Sequence, residues 1–163
     1  MITRRQFLRG DLAGRKSPQR PPWALAEAAF LAACTRCGAC VPACPQQILS
    51  LVRGYPEIDF SRAECTFCGK CRDACVPKAL RQTANTPPWQ LRATVTNKCM
   101  AYRDVVCRSC GDACGEAAIR FSPRLGGAAL PEILNERCTG CGACVSTCPA
   151  GAVTMATTGG KPA

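Results

Sequence analysis

The segment Cys34-Thr35-Arg36-Cys37-Gly38-Ala39-Cys40-Val41-Pro42-Ala43-Cys44-Pro45 spaces four cysteines as C-x₂-C-x₂-C-x₃-C. Three thiolates at steps of three wrap a tight loop around one corner of a cubane iron–sulfur cluster. In two-cluster bacterial ferredoxins the fourth cysteine of this spacing ligates the other cluster. The same spacing recurs at Cys65, Cys68, Cys71, Cys75 and at Cys138, Cys141, Cys144, Cys148. Gly38, Gly69, Gly140 and Gly142 stand inside these loops, where the backbone must turn close to inorganic sulfide. Pro45 and Pro149 follow the final cysteine directly, and Pro77 follows Cys75 one residue late. Proline suits a first helical turn, so each fourth cysteine is predicted to start a short helix.

Disulfides and zinc are the rival readings. Disulfides require an oxidising compartment and leave three continuous quartets unexplained. Zinc sites usually come as two separated C-x₂-C knuckles. Cubane clusters account for all three quartets at once.

A third group, Cys99, Cys107, Cys110 and Cys114, departs from the pattern. Met100 to Val106 separate its first two cysteines, and Gly115 stands where proline would be. The later steps of x₂ and x₃ persist. A longer loop costs little extra closure entropy, so a fourth cluster is expected, against the alternative of a decayed site with Cys99 merely buried. Ligand exchange would then pair group one with two and group three with four. Cys34, Cys37, Cys40 and Cys75 would hold one centre and Cys65, Cys68, Cys71 and Cys44 its neighbour, with Cys114 and Cys148 exchanged likewise.

The groups form an internal repeat. Five residues beyond each final cysteine stands an aliphatic residue: Leu49, Leu80, Ile119 and Val153. Pro56-Glu57-Ile58 precedes the second group and Pro131-Glu132-Ile133 the fourth. Trp23 to Ala33 is rich in helix formers. Trp89, Leu91, Ala93 and Val95 alternate as in a half-buried strand. The predicted fold is α+β: two ferredoxin-like halves of short antiparallel strands and short helices around clusters. The expected division is a basic flexible arm over 1–22, a first unit over 23–84, a linker or strand over 85–98, a second unit over 99–156 and a flexible tail over 157–163.

Composition narrows the chemistry. The 163 residues include 16 cysteines and no histidine, which excludes imidazole zinc sites, histidine-ligated haem and Rieske centres. The usual general base is missing too, and no residue set suggests a substrate pocket, so the chain reads as non-catalytic. The formal charge of +10 invites a nucleic-acid partner, but it counts cysteine as neutral. Four cubanes with their thiolates bring the total to about +2. What remains is a basic arm (Arg4, Arg5, Arg9, Arg15, Lys16 and Arg20 against Asp11) on a mildly acidic body. No nucleic acid is expected as a partner.

Thr3-Arg4-Arg5-Gln6-Phe7-Leu8-Arg9 looks like a twin-arginine export motif, yet Asp11, Arg15, Lys16 and Pro18 follow where an apolar stretch belongs. Leu31-Ala32-Ala33-Cys34 resembles a lipoprotein cleavage site, but using it would spend the first cluster ligand. The preceding apolar stretch carries Glu27 and falls short of the roughly 20 residues a span needs. A cytoplasmic location without stable membrane insertion is expected. Arg20-Pro21-Pro22-Trp23 and Thr86-Pro87-Pro88-Trp89 form a smaller repeat, read as tryptophans packed over cluster loops in preference to a docking element.

Together these residues resemble the NapF family of ferredoxin-type accessory proteins of periplasmic nitrate reductase systems. The resemblance is carried by the arginine-pair start, Arg-Pro-Pro-Trp before the first quartet, Cys34-Thr35-Arg36-Cys37, Gly54-Tyr55-Pro56 and the irregular Cys99 … Cys107-Arg108-Ser109-Cys110 group. It implies the three regular quartets as cluster sites. It also implies a cytoplasmic partner, the precursor of the molybdenum-containing catalytic subunit NapA, whose maturation the protein assists before export. An electron carrier feeding a nitrate-reductase-type complex and an exported redox lipoprotein are the alternatives.

Overall fold

The aliphatic residue five positions beyond each cysteine group marks where the chain begins to pair. In the computed structural model, which describes residues 18–83 and 87–157, Leu49 opens β1 (Leu49–Val52), which returns as β2 (Tyr55–Ile58). Arg53 and Gly54 make the turn at φ 54° and 82°, the left-handed pair that a two-residue hairpin needs. Leu80 forms an antiparallel bridge with Ala24. The alternating segment becomes β3 (Leu91–Val95). Ile119 opens β4 (Ile119–Arg124), which pairs with β5 (Gly127–Ile133), and Val153 opens β6 (Val153–Thr157). β3 and β6 are antiparallel neighbours, with Leu91 opposite Thr157 and Val95 opposite Val153. Each half thus repeats one plan. A hairpin follows the first cysteine group, and the chain before that group pairs with the chain after the second.

The helices are short. α1 (Glu27–Ala33) starts later than the composition suggests, because Trp23 sits at φ 61° and Ala24 is taken up in the bridge to Leu80. Glu27 in its first turn complements the positive end of the helix. α2 (Lys70–Asp73), α3 (Ser109–Asp112) and α4 (Ala143–Ser146) carry the third cysteines Cys71, Cys110 and Cys144. The helix expected after each fourth cysteine does not form. Gln47, Lys78, Ala117 and Gly151, each three residues beyond a fourth cysteine, close a turn onto its carbonyl and adopt φ of 52°, 54°, 46° and 55°. A left-handed residue ends any helical run, and here it redirects the chain into the following strand.

The expected arm also ends early. Residues 1–17, which include the Arg4-Arg5 motif, lie outside the described residues, but Gln19 to Pro22 belong to the body. The Gln19 carbonyl accepts from the Ile58 amide and its side chain donates to the Met155 carbonyl. The Arg20 guanidinium bonds Glu27 at 2.7 Å and lies 5.1 Å from the Phe30 ring centre. Of the expected tail, Thr157 closes β6 and residues 158–163 lie outside the description.

Two apolar clusters hold the halves. Phe30, Leu49, Ala79 and Leu80 fill the first, with Cys40 and Cys71. Leu91, Ala93, Val153 and Met155 fill the second, with Cys110 and Cys144, and this cluster also takes Ile48 and Phe60 from the first half. The halves therefore share apolar contacts.

Candidate metal centres

The three regular loops curl around a cavity because left-handed residues flank their second cysteine. Arg36, Phe67 and Gly140 precede the second cysteine of the regular groups at φ 59°, 52° and 78°; Gly38, Gly69 and Gly142 follow it at 74°, 76° and 87°. The third cysteines are the deepest, Cys40, Cys71, Cys110 and Cys144 all being buried.

The sixteen cysteines, all free thiols, divide among four cavities. Cys34, Cys37, Cys40 and Cys75 line the first, of about 340 Å³ out to its surface opening. Cys44, Cys65, Cys68 and Cys71 line the second, about 350 Å³. Cys114, Cys138, Cys141 and Cys144 line the third, about 340 Å³. Cys99, Cys107, Cys110 and Cys148 line the fourth, about 350 Å³. In every case three thiols come from one group and one from its partner group, which is the exchanged arrangement. Backbone amides reach three of the exchanged sulfurs: Leu80 to Cys75 at 3.4 Å, Ala118 to Cys114 at 3.3 Å and Ala152 to Cys148 at 3.2 Å.

The donor set fits a cluster better than a lone ion. Each quartet of thiols rings a void, and among the described residues no three Cys, Asp or Glu side chains converge closely enough for one metal ion. Trp23 adds a further sign. It lines the second cavity, and its buried indole N–H has no acceptor in the protein. Such an orphan costs about 1–3 kcal/mol, which a sulfur acceptor at the centre would relieve.

The irregular third group builds a cavity matching the others in size. Its extra residues leave the ligand loop as a 3₁₀ turn, Met100–Arg103, ended by Asp104 at φ 61°. The Val105 amide closes back on the Met100 carbonyl at 3.1 Å, and Asp104 pairs with Arg124 at the tip of the β4–β5 hairpin. The insert thus bulges outward while Cys99 and Cys107 stay on one wall. Arg108 stands where the regular loops have glycine and takes φ −127° and ψ 2°, outside the left-handed region that those glycines adopt.

Burial sets the thiol acidities. Desolvation pushes Cys65 and Cys144 up to about 12 and Cys40, Cys71 and Cys110 up to about 11. The exposed Cys37 moves down instead, through hydrogen bonds from the Ala39 amide and the Thr35 side chain.

Sequence reasoning missed the contact between the halves. The Cys65 amide donates to the Cys141 carbonyl at 2.8 Å, joining a thiol-bearing residue of the second cavity to one of the third. Trp89 packs edge-on against Phe60 and Phe67, at 6.0 Å and 5.3 Å between ring centres, and donates to the Thr139 carbonyl at 3.0 Å. Gly140 and Gly142 permit this closeness: a Cβ at Gly140 would lie 2.3 Å from the Leu91 carbonyl oxygen, and one at Gly142 would lie 2.1 Å from the Phe60 ring. Trp89 and the glycines were legible as residues; their meeting was not.

Among the described residues no helix is long and apolar enough to cross a membrane. Two family models, each described as a 4Fe-4S dicluster domain, match residues 33–80 and residues 105–152; the second match begins beyond Cys99. The chain is 42% identical over 153 residues to the ferredoxin-type protein NapF of Escherichia coli (strain K12), covering 93% of both chains. It is 40% identical to the NapF of Haemophilus influenzae, over 94% of this chain and 93% of that one. The methylamine utilization ferredoxin-type protein MauM of Methylorubrum extorquens is 33% identical, over 81% of this chain and 68% of its own.

Proposed function

The chain belongs to the NapF family of ferredoxin-type proteins, and on that premise we propose that it binds the cytoplasmic precursor of NapA, the catalytic subunit of periplasmic nitrate reductase, and assists its maturation before export. The similarity to NapF proteins over nearly the full length of both chains carries this reading. The protein itself is non-catalytic and holds [4Fe–4S] clusters in four sites. The ligand sets are Cys34/Cys37/Cys40/Cys75, Cys44/Cys65/Cys68/Cys71, Cys114/Cys138/Cys141/Cys144 and Cys99/Cys107/Cys110/Cys148, the residues that line each cavity together. When bound, such clusters supply one-electron transfer. The chain's own part is to present thiolates at fixed positions, surround them with apolar walls and exclude water from the buried third cysteine of each group.

The test is an anaerobic pull-down from cytoplasm with tagged full-length protein, offered both precursor and mature NapA. Selective capture of the unexported precursor is expected. Capture of the mature enzyme or of quinol-oxidising subunits, with no precursor, would replace this reading with the electron-carrier one. That second reading is favoured by one observation, the direct contact between the cysteine loops of the two halves.

A further inference from the structure

We propose that the four centres form one continuous relay, with the Cys65–Cys141 contact as the electronic junction between the halves. The inference rests on the occupancy of the cavities proposed above and goes beyond binding of NapA.

The order of the sites follows from which thiols face each other. Within the first half, Cys40 of the first site and Cys71 of the second are buried in one apolar cluster. Within the second half, Cys110 of the fourth site and Cys144 of the third likewise share one apolar cluster. Between halves, the route from the Cys65 sulfur runs through its own Cβ, Cα and amide, crosses one hydrogen bond of 2.8 Å, and continues through the Cys141 carbonyl, Cα and Cβ to the Cys141 sulfur. Electron tunnelling decays far less steeply through bonds and hydrogen bonds than across empty space, so this route connects the two middle sites. The sequence of sites is then Cys34/37/40/75, Cys44/65/68/71, Cys114/138/141/144, Cys99/107/110/148, with the ends in opposite halves.

The surroundings hold the junction shut. Trp89 is braced on the first half by Phe60 and Phe67, the latter inside the Cys65–Cys68 loop, and on the second by its bond to Thr139, inside the Cys138–Cys141 loop. Gly142, next to Cys141, accepts the Phe60 ring where any side chain would collide. A transfer across the junction oxidises one middle centre by one electron and reduces the other by one. No proton or ligand has to move, and the external reductant in the test is dithionite.

The experiment uses the full-length chain carrying Cys37→Ala and Cys107→Ala, which disables the two end sites and leaves all eight ligands of the middle pair. After anaerobic reconstitution and full reduction with dithionite, electron paramagnetic resonance is expected to show the split, fast-relaxing spectrum of two interacting centres. Two independent spectra, with about eight irons per chain, would overturn the relay. Should this variant fail to hold its iron, the native chain and Trp89→Leu decide the matter. Expected is a native spectrum that two separate pairs cannot reproduce, and one that moves toward two separate pairs in Trp89→Leu at unchanged iron and sulfide. A native spectrum equal to two independent pairs would overturn the proposal. A native chain with about twelve irons would overturn the four-centre relay, whatever the spectra say of the junction between the middle pair. Failure to capture the NapA precursor would leave all of these readings unchanged.

Discussion

The Trp23 amide donates to the Pro88 carbonyl at 2.6 Å, tying together the two Pro-Pro-Trp segments. The Arg81 amide in turn donates to the Trp23 carbonyl at 2.8 Å. Trp23 is therefore held from both sides of its backbone, at φ 61°, with its ring buried beside the second cavity and the Arg72 guanidinium 5.3 Å from its centre. The repeat that the sequence displayed as two similar stretches is a pair of strapped neighbours.

Trp23→Phe keeps most of the ring and removes the unpartnered N–H. Hydrogen bonds to cluster sulfurs raise reduction potentials, so redox titration is expected to show one centre shifted to lower potential at unchanged iron content. An unshifted set of potentials would mean that the indole N–H does not face the centre.

Cys99→Ala tests the irregular site. With Cys99, Cys107, Cys110 and Cys148 around one cavity, losing one ligand is expected to lower the iron count from about sixteen toward twelve per chain. An unchanged count with unchanged spectra would remove Cys99 from the ligand set.

Gly142→Ala should destabilise the holo-protein by about 2–4 kcal/mol, combining a left-handed backbone with overpacking against Phe60. A Cβ there lies 2.1 Å from the ring at φ +87°, whereas at Gly115 it meets nothing within 4 Å. Gly115→Ala is therefore the matched control. Chemical denaturation under anaerobic conditions compares the two, and equal midpoints would contradict the packing described.

Loading should release protons. The thiols of Cys65 and Cys144, pushed up to about 12 from 9.0, stay protonated in the metal-free fold at neutral pH. Because these folded values lie above the unfolded one, they stabilise the metal-free fold below pH 9 and lose that contribution as pH climbs toward 12. Cluster ligation needs thiolates and runs the other way. Reconstitution with iron and sulfide in a pH-stat is expected to release protons and to go further at about pH 8.5 than at about pH 6.5. A yield independent of pH would argue that proton loss does not limit loading.

The cysteine spacing, the glycines inside the loops and the aliphatic residue after each group were enough to read ferredoxin-like halves of 4Fe-4S type and to expect the grouping of thiols, three from one group and one from its partner, that lines each cavity. These are short-range matters: a tight loop, a turn and a strand start are each dictated by a handful of neighbouring residues. Even there the reading slipped where proline suggested a helix. The chain instead turns left-handed at Gln47, Lys78, Ala117 and Gly151, because the pairing that follows, within a hairpin after Gln47 and Ala117 and with an earlier segment after Lys78 and Gly151, outweighs the local preference.

The sequence by itself determined the number of thiols, their grouping in fours and the chemistry they can support. Only the tertiary structure decided that Gln19 and Arg20 are anchored, that Cys99 joins the wall of a cavity, and that Cys65 meets Cys141. Spacing along the chain constrains loops closed by a few bonds. The meeting of two loops 76 residues apart depends on Phe60, Trp89 and two glycines packing from different elements, and that complementarity exists only once the chain has folded.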